Sequence, residues 1–195
     1  MNEENPEGST ALTPSEEEGL IPRHITLRSE LNELEQVNIL EAETWLQTRK
    51  RLSSALDPLF LKSLHRRMFG KIWKWAGHYR KSDRNIGVPW PMISSQLEHL
   101  CREATAWRDE QAFTSDELAI RFHHKLVWIH CYPNGNGRHA RLAADLLIME
   151  LGGTRFSWGG GTSLESPSDV RKRYIDSLKE ADQHDHRALL AFARS

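Results

Sequence analysis

Cysteine is scarce in this sequence, and its scarcity excludes a disulfide-stabilised fold. Only two of the 195 residues are cysteine, Cys101 and Cys131, which is far below the density of small secreted domains. No stretch has the composition of a secretory signal or the length and apolarity of a membrane span. A chain of this length can bury a substantial core without cross-links. These absences predict a protein of the reducing cytoplasm that does not contact a membrane.

An excess of positive charge is missing as well. The 26 Lys and Arg residues are balanced by 27 Asp and Glu residues, which leaves a net charge of -1 and a pI near 6.8. A protein whose main task is binding nucleic acid usually presents a broad basic surface. The composition therefore argues against direct nucleic-acid binding.

The composition divides the chain into three segments. Residues 1–25 are acidic and rich in Pro, Gly, Ser and Thr, with few apolar side chains, so we expect an acidic flexible tail. Residues 26–56 are expected to form an N-terminal helical extension, and residues 57–195 the main domain. No internal repeat is visible.

Apolar residues recur at helical spacing through most of the chain, which predicts an all-α fold. The first helix is expected from about residue 26 towards residue 51, with Leu27, Leu31 and Leu34 on its buried face. Another is expected between Thr114 and His130, with a buried stripe of Leu118, Phe122, Leu126 and Ile129. Further helices are expected over residues 57–75, 93–110, 138–151 and 168–181.

One segment breaks the helical pattern. Residues 79–92, YRKSDRNIGVPWPM, contain short β-branched pieces, a glycine and two prolines, and they lack a helical stripe. That composition predicts a small β-hairpin or extended flap. Such a flap can dock a target segment by strand addition; the alternative is a hairpin that only covers the core. The candidate docking residues are Asn85, Ile86, Gly87 and Val88.

The densest cluster of polar residues and glycine is HCYPNGNGRHAR, residues 130–141. Two glycines flank Asn136 and an apolar run at helical spacing follows, so a tight loop that opens a helix is expected. Backbone N–H groups at the start of a helix bind anions, and glycine lets a phosphate approach them closely. Arg138 and Arg141 share one helix face and can hold neighbouring phosphate oxygens.

His130 precedes this loop and completes a candidate catalytic set. An imidazole at this position can take a proton from a hydroxyl group. A base, an anion-binding loop and paired arginines together indicate group transfer from a nucleotide. Two other hypotheses stay open: a nucleophilic pair of Cys131 with His130, and phosphate binding by the GGGT stretch at residues 159–162, although no lysine follows it.

The sequence resembles the Fic-domain family. The family motif, H-x-F-x-D/E-G-N-G-R-x-x-R, is matched by HCYPNGNGRHAR with Tyr132 in place of Phe. The stretches LHRRMFGKIWKWAGHYR and YIDSLKEAD are similar to other segments of the family. More narrowly, GLIPRHITLRSELNELEQVNI together with HCYPNGNGRHARLAADLL resembles the subgroup called mobile mystery protein B, which is encoded beside a helix-turn-helix partner.

The resemblance implies a mainly helical Fic fold with a β-hairpin flap. The implied reaction is the transfer of AMP from ATP to a Ser, Thr or Tyr hydroxyl of a target protein. It implies His130 as general base, and the following residues as ligands of the nucleotide and its phosphates: Gly135, Asn136, Gly137, Arg138 and Arg141. The subgroup implies a helix-turn-helix partner protein, and a homodimer stays open.

Position 134 departs from the family pattern. Asp or Glu usually stands there and binds Mg²⁺, whereas Asn134 offers a carboxamide oxygen without negative charge. We therefore expect Mg²⁺ or Mn²⁺ to be held mainly by the ATP phosphates. The alternatives are a non-catalytic or altered module in a toxin–antitoxin-like pair, or a phosphotransferase. A branch of the family with that last activity carries lysine where this chain has Gly137, so nucleotidyl transfer is favoured.

Many family members are inhibited by a helix with the pattern S/T-x-x-x-E-G/N, whose glutamate pairs with the second motif arginine. Ser29 and Glu33 have this spacing, although Leu34 stands in place of Gly or Asn. Glu33 is therefore the candidate inhibitory residue, expected to reach Arg141. The alternative is that Glu33 is a solvated charge on an ordinary helix.

Overall fold

The computed structural model describes residues 12–25, 27–48, 54–160, 164 and 168–195. Within these ranges the secondary structure is almost entirely helical, as the sequence predicts. Extended pairing among the described residues is limited to one isolated bridge between Leu20 and Trp73. The helices are α1 (Pro14–Glu17), α2 (Arg28–Gln47), α3 (Pro58–Phe69), a 3-10 turn (Trp90–Met92), α4 (Ile93–Asp109), α5 (Ser115–Ile129), α6 (Asn136–Glu150), α7 (Asp169–Asp182) and α8 (Arg187–Arg194).

The core is built around α5 and α6, which pack side by side. α4 covers α5, α3 contacts α6, α2 lies on α3, and the α7–α8 pair closes on α5 through α8. None of the described helices combines the length and apolarity needed to cross a membrane. The predicted stripe of α5 is buried in full, and it consists of Leu118, Phe122, Leu126 and Ile129. This arrangement places the loop between α5 and α6 next to the centre of the molecule.

α2 buries a different face from the one the sequence predicts. Leu31 is fully buried, but Leu27 is 54% exposed and Leu34 is only partly buried. The buried stripe includes two polar side chains among its apolar ones, and an apolar pattern does not reveal them. Its members are Leu31, Glu35, Asn38, Ile39, Ala42 and Leu46.

The N-terminal segment has a defined structure where the composition predicts a flexible tail, at least over residues 12–25. Thr13 and Glu16 form a capping box around α1, in which the Glu16 carboxylate accepts from the Thr13 N–H at 2.8 Å. The indole N–H of Trp75 donates to the Glu16 carbonyl at 3.0 Å. Residues 1–11 lie outside the described part of the chain, so the prediction stays a prediction there.

The predicted β-hairpin does not form in residues 79–92, all of which the structure describes. The segment is an irregular loop that ends in the 3-10 turn. Gly87 adopts a φ of +96°, outside the strand region. Pro89 and Pro91 cannot donate to a ladder. The guanidinium of Arg80 binds the Val88 carbonyl that a ladder would need.

Candidate active site

His130 ends α5 with a left-handed backbone, φ 55° and ψ 61°. This conformation is uncommon for a residue other than glycine, and such residues cluster at functional sites. The side chain is buried, with 6% of its surface exposed. The chain therefore turns sharply at the residue that the motif marks as the base.

The environment of His130 keeps its imidazole neutral. Burial lowers the pKa of His130 to about 4, and the positive charges of Arg80 and Arg84 act in the same direction. A hydrogen bond to the backbone of Val127 opposes the shift. At pH 7 the ring is therefore uncharged and able to accept a proton.

Asn136 holds the loop between α5 and α6 in shape. Its Oδ1 accepts from the Tyr132 N–H at 2.9 Å, and its Nδ2 donates to the Tyr132 carbonyl at 2.7 Å. Gly135 has a φ of +79°, and a Cβ at this position would lie 2.6 Å from the Phe69 ring, so only glycine fits. Both polar atoms of the Asn136 carboxamide bond within the loop. We therefore expect the predicted contact between Asn136 and phosphate to be made by the Asn136 backbone N–H.

The start of α6 has the features of an anion site. The first helical hydrogen bond runs from the His139 N–H to the Gly135 carbonyl at 2.9 Å. The N–H groups of Asn136, Gly137 and Arg138 precede that bond, so the helix itself supplies no acceptor for them. A Cβ on Gly137 would meet nothing closer than 3.6 Å. A phosphate group can therefore approach this turn without steric obstruction.

The two motif arginines are held differently. Nη2 of Arg138 lies 2.7 Å from Oε2 of Glu35, and its guanidinium lies over the Phe69 ring at 4.9 Å. Arg141 lies one turn further along α6, with its guanidinium 5.4 Å from the Tyr174 ring centre. Both residues thus lie within the first two turns of α6.

Glu35 reaches a motif arginine, Arg138, whereas the predicted residue, Glu33, lies on an exposed side of α2. Glu35 is 1% exposed, and its Oε1 accepts from the Trp73 indole N–H at 2.5 Å. Glu33 is exposed, because two positions along a helix correspond to a rotation of about 200°. The partner also differs, since it is Arg138 and not Arg141. The inhibitory motif selects Glu33 through its spacing from Ser29. The apolar pattern of α2 gives no sign that Glu35 is buried.

Asn134 is bound into the loop through both of its oxygens. Its Oδ1 accepts from the Gly135 N–H at 2.7 Å. Its carbonyl accepts from Nε2 of His65 at 3.1 Å, because Nδ1 of that ring accepts from the Gly77 N–H at 3.0 Å. No group of three His, Cys, Asp or Glu residues with metal-binding geometry occurs in the described ranges. At position 134 the protein therefore offers an ion only a neutral oxygen.

Arg80 belongs to this site, and no motif or periodicity in the sequence reveals it. It is 2% exposed; its hydrogen bonds go to backbone carbonyls, and its Nη1 also lies 3.9 Å from Oδ1 of Asp83. Nε donates to His130 at 2.7 Å and Nη1 donates to Ser82 at 2.9 Å. Nη2 donates to Val88 and, at 3.5 Å, to Ile129. One buried cation thus joins the flap to the end of α5.

The flap lies directly against His130. The Arg80 N–H donates to the Cys131 carbonyl at 3.0 Å, and the Val88 N–H donates to the Ile129 carbonyl at 3.4 Å. A Cβ on Gly87 would lie 2.6 Å from Cβ of His130, so this approach requires glycine. Of the four predicted docking residues, Val88 is buried, and the three exposed ones are Asn85, Ile86 and Gly87.

The two other nucleotide or nucleophile hypotheses gain no support. Burial raises the pKa of Cys131 to about 12, so its thiol stays protonated and is a poor nucleophile at pH 7. Gly159 and Gly160 form part of a turn, but residues 161 and 162 of the GGGT stretch lie outside the described residues.

Replacing Arg80 with methionine is expected to raise the pKa of His130 above about 4, towards 6.5. The variant removes the second-largest cause of the shift, a positive charge beside the ring. NMR titration of the His130 ring measures this pKa directly, and thermal unfolding verifies the fold. The matched control is Lys81→Met at the neighbouring exposed position, which should leave the pKa unchanged; an equal shift in both variants would contradict the assignment.

Residues 55–148 match the model of the Fic/DOC family. A curated relative, the protein adenylyltransferase Fic of Nematostella vectensis, is 31% identical over 108 residues, which cover 53% of this chain and 25% of the relative. The protein of the same name from Aedes aegypti is 29% identical over 133 residues, 66% of this chain and 25% of the relative. The chain thus spans about a quarter of the length of these relatives.

Solved structures share the fold. BepC of Bartonella tribocorum, a VirB-translocated effector crystallised with AMPPNP, superimposes with a TM-score of 0.68 at 16% identity, covering 93% of this chain and 97% of BepC. Fic-1 of Caenorhabditis elegans, residues 134–508, gives a TM-score of 0.66 at 22% identity, covering 94% of this chain and 55% of the other.

Proposed function

Because residues 55–148 are a Fic/DOC family domain, we propose that this chain is a protein adenylyltransferase, which transfers AMP from ATP to a hydroxyl group of a target protein. The names of its curated relatives support this activity. The observation that carries the proposal is a neutral, buried His130 at the end of α5, one short loop before the N–H groups at the start of α6.

The proposed reaction assigns one task to each part of the site. The hydroxyl oxygen of the target attacks the α-phosphorus of ATP, the bond to the leaving pyrophosphate breaks, and the hydroxyl proton passes to His130. The N–H groups of the first turn of α6 hold the transferred phosphate, and Arg138 and Arg141 hold the others. Catalysis then rests on positioning and charge stabilisation. A related fold that binds AMPPNP supports ATP as the substrate.

Regulation by α2 forms part of the proposal. Glu35 neutralises Arg138 in the absence of nucleotide, so ATP phosphates reach this arginine only when the pair opens. This assigns to Glu35 the inhibitory role for which the sequence suggested Glu33. Any Mg²⁺ or Mn²⁺ ion enters with ATP and is bound by its phosphates, since Asn134 contributes no charge.

The similarity of residues 19–39 to mobile mystery protein B supports a further element, a helix-turn-helix protein as partner in a bacterial cytoplasm. In that setting the chain would act as one half of a toxin–antitoxin-like pair. The target protein of the modification is a separate molecule in this proposal.

Intact-mass spectrometry tests the proposed activity. The protein is incubated with ATP, a bacterial lysate, and either Mg²⁺ or Mn²⁺, beside the variant His130→Ala. We expect an AMP increment on a protein in the wild-type reaction and its loss in the variant, because the base is removed. ATP binding, measured in parallel, should persist in the variant.

The alternatives give different masses. A phosphate increment would assign the chain to the phosphotransferases. No increment under any condition, with ATP binding intact, would favour a non-catalytic module. Asn134 would then mark an active site that has lost its activity.

A further inference from the structure

A carboxylate from the N-terminal segment lies against the first residues of the flap. Arg84 directly precedes the flap residues Asn85–Val88, and its guanidinium pairs with Glu16 of α1. The two side chains are only 8% and 13% exposed. A segment remote in sequence therefore sits beside the exposed part of the flap, where a target would dock.

The pairing uses only part of the hydrogen-bonding capacity of Arg84. Both carboxylate oxygens of Glu16 accept from the same nitrogen, Nη2. Nε of Arg84 is buried and has no acceptor among the described residues. A carboxylate that approached from the side would bind Nε and Nη2 together, which is the stronger two-point arrangement. A carboxylate that replaced Glu16 and bound both nitrogens would therefore be held more strongly than Glu16 is.

The helix that carries Glu16 is short and exposed. α1 has four residues, none of them buried, and a helix this short has little stability of its own. Its tertiary contacts include the Glu16 carbonyl bond to the Trp75 indole and the Lys74 N–H bond to the Gly19 carbonyl at 2.9 Å. Local opening of such a segment needs far less free energy than global unfolding.

We propose that Arg84 recognises an acidic side chain of the target protein, and that Glu16 occupies this position until a target binds. The inference rests on the proposed protein target. Ser15 of α1 and its N-cap residue Thr13 lie beside Glu16, so this segment has the hydroxyl-plus-carboxylate composition that such a target would have. Arg84 is three residues from Gly87, which touches His130, a span of at most about 10 Å. The recognised Asp or Glu therefore lies within a few residues of the acceptor hydroxyl.

Peptide binding tests this inference without nucleotide. The probe is a fluorescein-labelled peptide with the sequence of residues 9–20, STALTPSEEEGL, and its measured quantity is fluorescence anisotropy. The full chain carrying Glu16→Gln should bind the peptide at least tenfold more tightly than the wild type, because the internal competitor is gone. The control Glu17→Gln removes an exposed neighbouring charge and should bind like the wild type.

Two further measurements make the assignment specific. Adding Arg84→Gln to Glu16→Gln should abolish the gain, and a peptide with its three glutamates changed to glutamine should show none. Equal binding with and without Arg84, or no binding by any variant, would overturn the inference. Because the readout needs no ATP, a chain that binds the peptide but fails to transfer AMP refutes the proposed activity and leaves the docking site standing.

Discussion

Glu35→Gln is expected to tighten ATP binding by about 10- to 100-fold, the equivalent of losing one charge-assisted hydrogen bond that competes with the phosphates. In the nucleotide-free protein Glu35 holds Nη2 of Arg138 at 2.7 Å. Glutamine keeps the shape and can still accept from the Trp73 indole N–H, so the fold should be retained. Isothermal titration with ATP gives the affinity, and the rate of AMP transfer should rise in parallel.

The matched control for that variant is Glu33→Gln. Glu33 lies on the same helix with the same chemistry, but it is exposed and its substitution should leave ATP affinity within error of the wild type. If the two variants behave alike, inhibition by α2 does not act through the buried pair. This comparison also separates a local effect on Arg138 from a general change in the charge of α2.

Lowering the pH from 7 to 4 should remove most of the stability of the protein. Burial is the largest cause of lowered pKa values at three histidines, His123 to about 3 and His130 and His139 each to about 4. The unfolded chain binds protons at these residues below about pH 6.5, but the folded chain does not until the pH is far lower. Stability is therefore lost as the pH falls through the window from 6.5 to about 4, and it is fully present above that window.

The expected size of this loss is large. Each of the three histidines contributes about 3 kcal/mol between pH 7 and pH 4, which together is comparable to the roughly 5–15 kcal/mol that stabilises a typical domain. Urea unfolding at pH 7, 5.5 and 4.5 measures it. His123→Gln should reduce the pH dependence, whereas His99→Gln, at a largely exposed position, should not. A free energy of unfolding that stays constant from pH 7 to 4.5 would contradict the assignment.

Periodicity and motif spacing predicted the parts of this molecule that depend on local pattern. The buried stripe of α5 and the glycine-bounded start of α6 follow from apolar spacing and from the conformational freedom of glycine. Both features can be recognised within a dozen residues of sequence. They place His130 and the arginines correctly along the chain.

Long-range polar contacts could not be predicted in the same way. Arg80 and Glu35 are charged residues inside the core, and their burial depends on partners 50 and 103 positions away, at His130 and Arg138. Nothing in the local sequence distinguishes them from solvated charges. The hairpin prediction failed for the same reason, because Arg80 takes a carbonyl that a strand ladder would have used.

The carbonyl bonds of Arg80 bear on how the proposed reaction would favour a protein hydroxyl over water. Because one guanidinium binds the backbone carbonyls of both Val88 in the flap and His130, a target segment that docks on the flap would act on the same cation that holds the backbone of His130. Binding of the target to the flap and positioning of His130 would then occur together. Under the proposed activity, a small molecule such as water cannot contact the flap in this way, so we expect ATP hydrolysis to be disfavoured relative to transfer to a protein.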